Sequence, residues 1–137
     1  MIFLDTNVVS ETLKKQPNAA VIAWLIRHDG ELALSSVVIG EIAYGIAKIR
    51  DDERAPRLDL SLKDWRRRFA GRIHGFDEEA AMAYGQIMGD GKRHGQPMSA
   101  PDGMIAAIAR TKGGALATRN GVDFRHCGLE LINPWEF

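Results

Sequence analysis

Short apolar runs alternate along this chain with longer stretches of helical periodicity, and the first run begins at residue 2. Ile2-Phe3-Leu4, Leu32-Ala33-Leu34, Ala115-Leu116-Ala117-Thr118 and residues 129–132 read as strands, with residues 73–76 a further short one. Helices are predicted over residues 8–15, 19–28, 60–72 and from a Ser35 or Ser36 cap through residue 49. In the second of these, Ala20 and Trp24 mark one side and Val21, Ile22 and Leu25 the other. Residues 51–56 form a charged loop. Asp77 caps a helix carrying Ala80, Tyr84, Ile87 and Met88 at helical spacing, with an end blurred by Gly89, Gly91 and Gly95. A last helix opens at Ser99-Ala100-Pro101-Asp102 and stops at Gly113-Gly114. This order predicts an α/β fold, a parallel sheet flanked by helices on both faces. No linker, repeat or low-complexity segment divides the chain, so residues 1–137 are expected to form one domain.

Composition narrows the function. Eighteen basic and eighteen acidic residues give a formal charge of zero. That excludes a protein holding nucleic acid by bulk charge, while leaving room for a local basic patch. A lone cysteine, Cys127, rules out an intrachain disulfide and suits a reducing, cytoplasmic location. His28, His74, His94 and His126 stand at no zinc-ligand spacing. No basic region precedes the first apolar run, so no signal peptide is expected. The longest apolar stretch, residues 19–26, is too short for a bilayer, and no membrane partner is expected.

Four acids stand where solubility does not explain them. Asp5 follows Ile2-Phe3-Leu4, and Glu41 interrupts Val37-Val38-Ile39-Gly40 and Ile42-Ala43. Asp102 precedes the apolar stretch from Met104, and Asp123 lies just past the strand ending at Thr118. Carboxylates beside a core need a positive partner to offset lost hydration. No single Lys or Arg is placed by sequence beside all four, whereas one divalent cation serves them together. Ligands bind beyond the carboxyl ends of parallel strands. Asp5, Glu41 and Asp123 fall at that edge, while chain order sets Asp102 at the opposite end of its strand unless the helix tilts.

Each acid also has a structural reading. Asp5-Thr6-Asn7 suits a helix cap, Ser99 and Asp102 suit a capping box, and Asp123 suits turn chemistry around Asn120-Gly121. Glu41 has mostly apolar helical neighbours, which weakens a surface role. Other chemistries fit less well. No Gly-x-Ser-x-Gly occurs, and Gly89, Gly91 and Gly95 follow no strand. Lys63, Arg66, Arg67, Arg68 and Arg72 read as a solvated helix face rather than a nucleic-acid patch. Met82, Met88, Met98 and Met104 read as core filling.

Taken together, the motifs carry a resemblance. Met1-Ile2-Phe3-Leu4-Asp5-Thr6-Asn7-Val8-Val9-Ser10-Glu11 resembles the opening of PIN-domain ribonucleases, closest to VapC toxins of the FitB-like branch. Ser35 to Ile42, Asp102 to Ala107 and Ala117 to Phe124 resemble the family's later acidic motifs, and Asn133-Pro134-Trp135 its usual ending. The resemblance spans the chain in order. It implies a PIN-like fold around a five-stranded parallel sheet and RNA cleavage dependent on Mg²⁺ or Mn²⁺. It implies that Asp5, Glu41, Asp102 and Asp123 form the acidic cluster and that the start of the Asp102 helix faces the strand ends. Asn7, Thr118 and Asn120 match accessory polar positions. Gly103 departs from the larger residue common in the family, a change expected to loosen the turn. A cognate antitoxin and a homodimer are the implied partners.

Carboxylate oxygens suit Mg²⁺ or Mn²⁺, with Asp5, Asp102 and Asp123 as the expected metal ligands and Glu41 orienting water or a second metal. Arg119 is the candidate to steady a substrate phosphate. Two other readings use the same acids: a non-catalytic metal- or partner-binding module, and a phosphatase or small-molecule phosphotransferase.

Overall fold

The computed structural model describes all 137 residues. Strand β1 (Ile2–Leu4) is followed by helices α1 (Thr6–Thr12) and α2 (Ala19–Arg27), then β2 (Leu32–Ser35). Helices α3 (Ser36–Lys48) and α4 (Ala55–Arg68) lead to β3 (Ile73–His74). Helices α5 (Glu78–Arg93) and α6 (Ala100–Thr111) return the chain to β4 (Ala115–Ala117), and β5 (Leu131–Ile132) completes the sheet. The order is β3-β2-β1-β4-β5, with every neighbouring pair parallel. The predicted doubly covered parallel sheet is therefore present.

Connectivity creates the site. From β1 the chain moves outward through β2 to β3, then crosses back to lay β4 on the other side of β1. Loops leaving β1 and β4 diverge to opposite directions, which opens a crevice at their carboxyl ends. Asp5 and Thr118 are the residues immediately after those two strands. Phe3, Leu4, Leu34 and Leu116 are buried, and Ile105 to Ala109 press a continuous apolar helix against the sheet.

Several boundaries differ from the sequence expectation for local reasons. Helix α1 begins two residues early because the Asp5 carboxylate caps it, and it ends at Thr12, whose hydroxyl back-bonds to Val9 O at 2.6 Å. Helix α4 starts at Ala55, inside the expected charged loop, since Pro56 is tolerated in a first turn. It ends at Arg68 rather than residue 72, shortly before Gly71 turns with φ +84°. Trp24 shares the buried face of α2 with Val21 and Leu25, the i, i+3, i+4 set, instead of opposing them. Helix α5 runs through Gly89 and Gly91. At Gly91 a Cβ would stand 2.6 Å from Gln96 O, so the returning chain requires the glycine. Met82 is 75% exposed and fills no core.

Gly103 does not loosen the turn that carries Asp102. A Cβ there would meet Met88 Sδ at 2.5 Å and Tyr84 Cε1 at 3.1 Å. Its absence lets α6 lie close against α5. The basic surface of α4 is largely solvated and partly structural. Arg68 pairs with Asp29 at 2.6 Å, and Arg72, beyond the helix end, donates to Asp29 O and Leu32 O.

Candidate active site

Asp5 is fixed from every side. Its backbone N–H donates to Ala117 O at 2.9 Å, which ties it to the end of β4. Its Oδ1 accepts from the Thr6 N–H at 2.8 Å, and its Oδ2 accepts from the Thr118 hydroxyl at 2.7 Å. Asn7 Nδ2 lies 3.3 Å from the same Oδ2 and 3.4 Å from Thr118 Oγ1. The Asn120 N–H donates to Thr118 Oγ1, and the Arg119 N–H to Asn7 Oδ1. Asp5, Asn7, Thr118 and Asn120 therefore form one network bridging β1 and β4.

Asp5 is 5% exposed, and burial pushes its carboxyl up to about 6. The Thr118 hydroxyl and the Thr6 N–H resist that rise, while the negative charges of Asp102 and Glu41 add to it. Asp102 is also raised, chiefly by partial burial, against a hydrogen bond from Ser99 and with the help of Glu41 and Asp123. The four acids thus feel one another: Asp5 faces Asp102 and Glu41, and Asp102 faces Glu41 and Asp123.

Three elements bring these groups to Asp5. Helix α3 carries the half-buried Glu41 beside its apolar face, where the Thr6 hydroxyl donates to Oε1 at 2.5 Å. Helix α6 starts at the Ser99 cap, whose Oγ accepts from the Asp102 N–H at 3.3 Å. Because α6 runs antiparallel to β4, its first turn lies at the carboxyl end of the sheet. Chain order alone put Asp102 at the wrong end, and the return direction of the helix removes that objection. Asp123 sits exposed on a 3₁₀ turn, Gly121–Cys127, anchored by buried Phe124 and Cys127.

No Lys, Arg or His forms an ion pair with any of the four acids. Neighbouring like charges with no cation between them repel, so this donor set fits a divalent metal. As they stand, no three acidic, His or Cys side chains converge to ligating distance, so closing on a cation requires side-chain adjustment. Arg119 forms no ion pair with the four acids: its guanidinium lies 5.0 Å from the Trp135 ring centroid, and its charge is felt by Glu11. Thr6 and Ser99 were missed as site residues. Thr6 had a detectable signal, since it lies beside Asp5, but its bond to Glu41 joins positions 35 apart.

A model of the PIN domain matches residues 2–128. The chain is 39% identical to toxin FitB of Neisseria gonorrhoeae, covering 98% of this chain and 99% of that protein. It is 38% identical to the VapC ribonuclease Y4jK of Sinorhizobium fredii, covering 99% of each. The solved structure of FitAB bound to an IR36 DNA fragment superposes with a TM-score of 0.92 at 37% identity, covering 100% of this chain and 97% of that one. With its five parallel strands, its acidic crevice at the β1–β4 switch and this full-length similarity, the chain belongs to the PIN-domain family.

Proposed function

We propose that this chain, as a single PIN domain over residues 1–137, is a metal-dependent ribonuclease acting as the toxin of a toxin–antitoxin pair. The observation that carries the reading is the gathering of Asp5, Glu41, Asp102 and Asp123 around one crevice with no cationic side chain among them. Asp5, Asp102 and Asp123 would hold Mg²⁺ or Mn²⁺. A cation bound there supplies Lewis acidity, acidifying water and offsetting charge on a phosphate.

The chain's own groups do the positioning. The hydroxyl of Thr118 and the N–H of Thr6 orient both oxygens of Asp5. Thr6 holds Glu41, leaving its second oxygen available to accept a proton from an attacking water. Asn7 and Asn120 brace Thr118. The relatives named toxin FitB and VapC ribonuclease, and the FitAB assembly on DNA, support the pairing with a cognate antitoxin. No helix is long and apolar enough to cross a membrane. The reading places the chain's action on RNA in the cytoplasm, as a homodimer.

Incubating the purified chain with RNA in Mn²⁺ and in excess EDTA tests the reading. Cleavage is expected only with metal, together with a rise in melting temperature on adding Mn²⁺. Undiminished cleavage in EDTA would falsify the metal-dependent mechanism.

A further inference from the structure

One groove on the molecule adjoins the acidic crevice. It has a volume of about 590 Å³ and runs between α1, α3 and α4. At one end are Thr6 and Glu41, already placed beside Asp5. Along its walls stand Lys14, Lys15, Arg54 and Arg57. Four cations on one groove are notable in a chain of zero net charge. Lys14 and Arg54 are partly offset by Glu11 and Asp52. Lys15 and Arg57 form no ion pair. The Arg57 guanidinium is instead pinned to the wall by donating to Leu13 O at 3.1 Å.

We propose that this groove is the track for the backbone of single-stranded RNA on one side of the scissile bond, with Lys15 and Arg57 as phosphate contacts. The proposal rests on the ribonuclease reading. Charge complementarity and continuity with Glu41 select the occupant: a polyanion entering the crevice needs cations outside the acids and none among them. The basic surface at Arg66, Arg67 and Arg68 lacks that continuity, since none of these residues lines the groove.

Gly45 offers a clean probe. It lines the groove in mid-helix, and a Cβ there would meet nothing within 4 Å. Side chains added at this position project into open space without disturbing the core. Binding of a fluorescent ten-nucleotide single-stranded RNA is measured by anisotropy in the non-cleaving Asp5→Asn background, across a salt series. Gly45→Glu should weaken binding and Gly45→Lys should strengthen it, each by roughly three- to tenfold. Lys15→Gln combined with Arg57→Gln should weaken it by about tenfold or more and reduce the salt slope by about 1.4, as expected for two lost phosphate contacts. Unchanged melting temperatures confirm that the fold is intact, and Lys15→Gln alone carries the test if the double variant is unstable.

Cleavage by the wild-type chain, run in parallel, separates the two readings. Cleavage with RNA affinity indifferent to all these charges would overturn the groove assignment alone. Absence of any cleavage would remove the ribonuclease reading and the groove with it. If the same variants left RNA affinity unchanged but weakened capture of the cognate antitoxin, the groove would belong to the protein partner and the RNA proposal would be wrong.

Discussion

Asp5 and Glu11 are acids six positions apart, one capping α1 and one within it, and each is 5% exposed. Their chemistry is opposite. Glu11 Oε1 accepts from Lys14 Nζ at 2.9 Å and its Oε2 from the Asn18 N–H at 2.9 Å. These bonds, Lys14 first, hold its carboxyl below the ordinary carboxylate range. Asp5 has hydrogen bonds but no cation, and burial drives it up to about 6. Burial alone therefore does not mark a functional acid. What separates the two is whether the chain itself supplies a positive partner, as Lys14 does for Glu11 and nothing does for Asp5.

The comparison can be broken most decisively by activity. Asp5→Asn should lower metal-dependent RNA cleavage by about a hundredfold or more, because a ligand charge is lost. Glu11→Gln should leave the same rate within about threefold. Equal losses in the two variants would erase the distinction. Next in size, Thr118→Val keeps the shape but removes the hydroxyl that holds Asp5 Oδ2. Cleavage should fall by about tenfold, as for other groups that orient a metal ligand, and the acidic limb of its pH profile should move upward.

Stability without metal sharpens the contrast through its sign. Asp5 titrates at about 6 in the folded chain against an ordinary value of 3.8. The folded state therefore binds the extra proton between those values, and stability falls as pH rises from about 4 to about 6. Asp5→Asn removes that loss. In EDTA it should raise stability by on the order of 2–3 kcal/mol at pH 7.5, with little gain at pH 4. Glu11→Gln should do the reverse at neutral pH, costing about 1 kcal/mol through its weakened hydrogen bonds. Denaturant melts at both pH values measure both effects. A destabilised Asp5→Asn at pH 7.5 would mean that its capping role outweighs the charge strain.

Smaller effects follow at the edges of the site. Asp102 is half-buried and raised, so Asp102→Asn should increase the metal-free melting temperature less than Asp5→Asn does. It should also shrink the stabilisation conferred by Mn²⁺. A lower melting temperature with intact cleavage would return Asp102 to a purely capping role. Smallest of all, neutralising Arg66, Arg67 and Arg68 together should change cleavage of short RNA by less than about threefold, since these exposed charges lie away from the crevice. A hundredfold loss would make that face a substrate surface.

Much of this was legible along the chain. The short apolar runs marked the strands because parallel strands covered on both faces have no polar side. Asp5 could be placed from sequence because a strand end and a helix cap coincide at one residue. Element ends were less legible. Pro56 starts α4 as readily as it ends a loop, and only packing of Ala55 into the core decides between them. The 3₁₀ turn that carries Asp123 has no periodicity to detect, and its anchors, Phe124 and Cys127, act through burial against distant elements.

Residue identity thus determined which groups were available: acids beside apolar runs, hydroxyls and amides near strand ends, and no local cation to neutralise them. Tertiary structure decided which of them meet. The crossover from β3 to β4 set Thr118 against Asp5, 113 positions away. The antiparallel return of α6 brought Asp102 to the same edge. The close approach of α5 permitted by Gly103 keeps that helix in place. Lys14, Lys15, Arg54 and Arg57 became one groove only when α4 packed beside α1 and α3. Local sequence specifies backbone periodicity and caps, whose interactions reach about four residues, whereas carboxylate repulsion and groove charge depend on distances that chain order does not contain.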